Sequence, residues 1–193
     1  MAILASIASE AKGDAERAVA ISDLPEYLYK TERENKVFFV CSLVDYIARA
    51  TKNRRSDVVE ALGPQRLGRI VELADVYHCD NIDVVSDHFI EEADIGEGVF
   101  DNVAAARYAV PSHWDIGKVY KRLVLAIADR EGTTDVEAIL RAYCSPVSAL
   151  IDDYNGSFYY DSPEAIYDAY ATGSWSSDFC DSDLGCNNSI RNP

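Results

Sequence analysis

From Ile116 to Ala128 the apolar residues recur three and four positions apart: Ile116, Val119, Tyr120, Leu123, Val124, Ile127 and Ala128. That spacing places them on one side of an α-helix and cannot serve a strand, whose side chains alternate with a period of two. The same period returns along the chain, and no run of strand alternation interrupts it. The one hairpin-like dipeptide, Asn155-Gly156, lies between a helical stretch and Phe158-Tyr159-Tyr160, so it allows at most one short extended piece. The pattern therefore predicts an all-α fold, an orthogonal multi-helix bundle of about seven to nine helices with little or no sheet.

Stop and start signals divide the helices. Residues 34–50 read as a strongly apolar helix. A short helix near 56–62 stops at Gly63-Pro64, and another runs from about 65 to 78. Asp80 is expected to cap a helix reaching about 94, and one more is expected over about 99–109, before Pro111. The helix beginning near Asp115 stops at Gly132. Thr134 and Glu137 have the spacing of a capping box for the next, whose apolar stripe continues through Val147 and Ile151. Pro146 falls inside that stripe, so Ser145-Pro146 should end one helix and open a second. A last helix begins at Ser162-Pro163-Glu164 and ends before Gly173. The organisation read from this is an N-terminal helical appendage and connector over 1–33, a helical subdomain over 34–110, a second packed on it over 111–172, and a polar, acidic tail over 173–193. Expected core residues are Val37, Val40, Val44, Ile47, Ile70, Leu73, Phe89, Leu123, Ile127, Ile139 and Leu140.

Composition bounds the function. The 193 residues hold 18 Lys and Arg against 33 Asp and Glu, a formal net charge of −15. A field of that sign repels phosphate backbones and anionic lipid, which disfavours nucleic acid and membrane surfaces and suits a basic protein partner or simply a well-solvated surface. The longest apolar run, from Val37 to Val44, is too short to span a bilayer. The apolar start lacks a basic region and runs into Glu10, Asp14 and Glu16, unlike an export signal. With five cysteines, an odd number, the reading is of reduced thiols in a cytoplasmic protein. Cys41, Cys79 and Cys144 sit in apolar helical contexts that favour burial, while Cys180 and Cys186 lie in the polar tail.

The charges are unevenly laid out. Residues 30–70 carry nine Lys or Arg against five acids. Between Arg69 and Arg107 there is no Lys or Arg at all, and ten carboxylates. Within that gap Ile82, Val85, Phe89, Ile90 and Ala93 form a buried helix face. Asp83, Asp87, Glu91 and Asp94 stack three or four apart along the opposite one. Like charges at that spacing cost roughly 0.2–0.5 kcal/mol per pair, so the stripe could face a basic surface, in residues 49–69 of the chain itself or in a partner, with plain solvent as the remaining alternative. Tyr108, His113 and Trp114, in the aromatic stretch 108–120, form a possible second surface. Arg54, Arg55, Arg66 and Arg69 flank a glycine turn in the manner of a helix–turn–helix, the basis of an alternative reading as a DNA-binding regulator. No catalytic residue, metal site or cofactor is assigned. The three histidines and five cysteines lack zinc-ligand spacing, and no nucleophile elbow, phosphate loop or dinucleotide fingerprint occurs. A hydrolase with an unrecognised carboxylate site remains a further alternative.

The apolar helix from Val37 to Ile47, then Val58, Val59 and Leu62, then Leu73 and Tyr77-His78, and the acidic helix through Asp87 together resemble DUF3791, a small bacterial domain family of unknown function. The resemblance covers about residues 35–95. It implies an accessory or antitoxin-like role beside ADP-ribosyltransferase-like toxins, and no catalytic residues. The N-terminal segment and the long C-terminal part lie outside the family's pattern.

Overall fold

The computed structural model describes residues 26–173, and among these the chain is helical with no strand. Helix α1 spans Glu26–Thr51, α2 Arg55–Glu72, α3 Ala74–Tyr77, α4 Ile82–Glu92, α5 Asn102–Ala105, α6 His113–Glu131, α7 Asp135–Tyr143, α8 Pro146–Asp152 and α9 Pro163–Thr172. The predicted all-α class and helix number hold over the described residues. Phe158–Tyr160, where at most a short extended piece was allowed, is a 3₁₀ turn.

Local chemistry accounts for most boundaries. Within α2 Gly63 leaves the helical region, with φ at 66°, so the span holds the two expected helices, which meet at a kink at Gly63-Pro64. The left-handed Gly63 lets Pro64 open the second half without an amide hydrogen to satisfy. Helix α4 starts later than expected, because the Asn81 side chain, not Asp80, accepts from the amide of Asp83. It stops at Glu92, and Asp94 turns into the left-handed region with φ at 51°. The helix expected over 99–109 shrinks to the single turn of α5. Residues 98 and 100 are instead drawn onto the end of α1, where the Gly98 amide donates to Thr51 O at 2.7 Å and the Phe100 amide to Lys52 O at 2.8 Å. Helix α6 carries a full capping box between Ser112 and Asp115, and Thr134 caps α7. Pro146 and Pro163 each occupy a first helical turn as expected.

Helix α1 is the spine. It begins across the expected boundary at 33 and packs on α2, α4 and, most extensively, α6. Its contact with α6 is close enough that a Cβ on Gly117 would lie 2.1 Å from Ser42 Oγ and 3.1 Å from Ser42 Cα. One core of buried residues runs through both expected subdomains, from Val37 and Ile47 through Leu62 and Phe89 to Leu123, Ile139 and Ile151. Of the expected core, Leu73 is 38% exposed and Leu140 is half-buried, because α2 ends at Glu72 and Leu140 flanks the α7 stripe. Cys41 is buried, and its thiol is pushed up to about 12 by that burial. Cys79 and Cys144 are exposed, against expectation. Cys180 and Cys186 lie outside the described residues.

Candidate functional site

Two polar constellations stand out, one buried and one on the surface. The buried one is built on Arg55, the first residue of α2, which is only 2% exposed. Its Nε donates to Asp45 Oδ1 at 2.6 Å, and its two terminal nitrogens reach Asp152 and the Tyr154 hydroxyl. The guanidinium also faces the rings of Tyr120 and Tyr154, at 5.8 and 5.6 Å. Arg49, one turn beyond Asp45, approaches its other oxygen at 2.7 Å and donates to the Tyr154 hydroxyl at 2.7 Å. Tyr120 in turn stacks on Tyr143 at 3.8 Å and shares a hydrogen bond with Ser148 at 2.8 Å. Burial pulls the Arg55 pKa down, but Asp45 and the surrounding groups together outweigh this and hold it above its ordinary value.

This geometry is one of closure. Both buried carboxylates are taken up by guanidinium groups, although Asp45 Oδ2 and Arg49 Nε meet as an ion pair without a hydrogen bond, and a buried ion pair is costly to break and poorly disposed to do chemistry on a substrate. Among the described residues no group of three or more His, Cys, Asp or Glu is disposed to hold a metal ion. The sequence offered one signal of this centre, Asp45 inside the apolar run of α1. Its partners lie 10 and 97 residues from Arg55 along the chain, too scattered for spacing to connect them.

Arg55 is therefore withdrawn from the surface assigned to it in the DNA-binding alternative. The other three arginines are also engaged. Arg54 lies over the Phe100 ring at 4.3 Å. Arg66 meets Glu92 at 3.3 Å and donates to its carbonyl at 2.9 Å, and Arg69 pairs with the same carboxylate. Lys52 pairs with Glu97 at 2.6 Å. Among the described residues the ion pairs of the basic segment 49–69 are thus made with Asp45, Glu92, Glu97 and Asp152, and none with the acidic stripe.

The stripe itself is open. Asp83, Asp87, Glu91 and Asp94 are all exposed, and none pairs with a Lys or Arg among the described residues. Asp83 accepts a hydrogen bond from the Tyr46 hydroxyl, which raises the Tyr46 pKa chiefly through that bond. Tyr46 begins a ladder of half-buried rings. It meets His113 edge-on at 5.1 Å, His113 meets Trp114 at 4.5 Å, and Trp114 meets Phe38 at 5.6 Å. The ladder follows from position: Phe38 and Tyr46 lie eight residues apart on α1, hence on one face, and His113 and Trp114 open α6 where it crosses that face. His113 Nε2 is shielded and makes no hydrogen bond, and burial lowers its pKa. Two surfaces read separately from the sequence are thereby joined, through a Tyr46 that the sequence reading passed over. Tyr108 is exposed and makes no ring contact with this ladder.

No family model, no curated protein and no solved structure matches the chain. No helix among the described residues is long and apolar enough to cross a membrane.

Proposed function

We propose that the chain is a non-enzymatic protein-binding module whose face along α4, α1 and the start of α6 engages a basic partner. The observation carrying this is the Tyr46–Asp83 hydrogen bond, which joins an unpaired carboxylate stripe to a ladder of half-buried rings. Aromatic side chains supply contact area with little conformational entropy to lose, and they stack against Arg and Lys. The carboxylates supply steering in a chain whose formal charge is −15. An accessory or antitoxin-like setting is what the resemblance of residues 35–95 to DUF3791 adds to this reading, and a cytoplasmic one is what the odd number of cysteines suggests.

The test is a lysine- and arginine-rich amphipathic peptide titrated into the full chain. Amide shifts should gather on α4, Tyr46 and His113–Trp114. Replacing Asp83, Asp87, Glu91 and Asp94 by Asn or Gln should slow association about tenfold at low salt, with the difference fading as salt rises. An unchanged on-rate in that variant, together with a higher melting temperature from relieved repulsion, would leave the stripe as a solubility feature and discard the proposal.

A further inference from the structure

A cavity of about 410 Å³ lies on the other side of α6, between that helix, the 3₁₀ turn and the start of α9. Its floor is apolar, made by Val119, Leu123 and Ile166, all buried, and Tyr159 closes one side. The volume falls within the roughly 300–1,000 Å³ of small-molecule sites, and an apolar floor with a few polar groups at the rim is their usual make-up. The rim on the α6 side is cationic. Lys118 and Arg122 stand one turn apart there, although like charges at that spacing repel. Lys118 is answered by Asp115 at 3.2 Å. Arg122 has no hydrogen bond or ion pair among the described residues, and it also borders a neighbouring depression with Arg33 and Lys121. Arg54 and Arg130 also lack an ion pair among the described residues but lie over the rings of Phe100 and Tyr167, whereas Arg122 borders an apolar hollow.

We propose that this cavity binds a small amphipathic acid, its aromatic or aliphatic body against Val119, Leu123 and Ile166 and its carboxylate, sulfonate or phosphate on Arg122. The guanidinium presents paired donors to a planar or tetrahedral oxyanion, and at the edge of a low-dielectric floor such a bond is stronger than in open water. Asp161, on the opposite rim, selects against a second anionic group and suits a hydroxyl or amine there. The cavity shares no residue with the acidic and aromatic face, so the two sites stand or fall separately.

The probe is 8-anilinonaphthalene-1-sulfonate, titrated into the full chain by fluorescence and by amide and methyl shifts, beside N-phenyl-1-naphthylamine, which has the same rings without the sulfonate. One saturable site is expected, with shifts at Val119, Leu123 and Ile166. Arg122→Gln should weaken sulfonate binding about tenfold, as for loss of one charge-assisted hydrogen bond, and should leave the neutral amine unaffected. Lys121→Gln, which lies off this cavity, should change neither. Because Arg122 is exposed and unpaired, its variant should melt as the wild type does. Shifts centred elsewhere, or equal sulfonate affinity in Arg122→Gln and wild type, would overturn the proposal.

Discussion

At the scale of single residues, burial and pairing explain why chemically similar side chains differ in consequence. Arg54 and Arg55 are adjacent, yet one rests on a surface ring and the other closes a buried ionic centre. Arg55→Ala should therefore cost about 3–5 kcal/mol in urea denaturation, since it strands Asp152 in the interior and leaves Asp45 with Arg49 alone, whereas Arg54→Ala should cost well under half of that. The buried phenols set a limit at high pH. Burial pushes the Tyr120 hydroxyl up to about 12 from 10.0, and Tyr143 is raised in the same direction. A folded-state pKa above the unfolded one stabilises the fold fully below about 10 and loses that contribution as pH rises through 12. Stability should accordingly fall across that window, and Tyr120→Phe should make the fall shallower when denaturation midpoints are compared at successive pH values. The sequence showed Asp45 as a charge within an apolar stripe but could not show its partners. Pairing across such separations is set by how α1, α2 and α8 dock, which no local spacing encodes.

At the scale of helices, boundaries written in backbone chemistry were readable and those decided by docking were not. Pro146, Pro163, Gly132 and Gly173 act where they stand, through a missing amide hydrogen or a tolerated left-handed turn. The expected helix at 99–109 failed because the amides of Gly98 and Phe100 found carbonyls at the end of α1, a tertiary bond that outweighs local propensity. The same contest explains Gly117. A glycine in mid-helix is ordinarily a weak point, but here it permits the close crossing of α1 and α6. Gly117→Ala should thus destabilise by about 1–3 kcal/mol despite the higher helix propensity of Ala. Adding Ser42→Gly should recover part of that loss, because the Ser42 side chain is the nearest obstacle. A urea series on the two single variants and the double variant would measure the coupling; additive effects would show that the crossing does not set the cost.

At the scale of the whole molecule, charge class, helical class and the exposure of the acidic stripe were legible, because each depends on composition or a single helix. The joining of that stripe to the aromatic ladder was not, since it needs α4, α1 and α6 to meet. The buried centre has a consequence in time as well as in energy. Its bonds tie the start of α2 to Asp152 and Tyr154, 97 and 99 residues away. Contacts between such distant positions are made only after long loops have closed, so they should be largely absent at the rate-limiting barrier. Trimming Arg55 should then quicken unfolding while leaving the refolding rate nearly unchanged, a result readable from the two limbs of a chevron plot. A refolding limb slowed as much as the unfolding limb is accelerated would place the guanidinium in the nucleus instead. With the late assignment, the charged centre acts as a latch: the native chain's lifetime, more than its speed of formation, is what Arg55 governs.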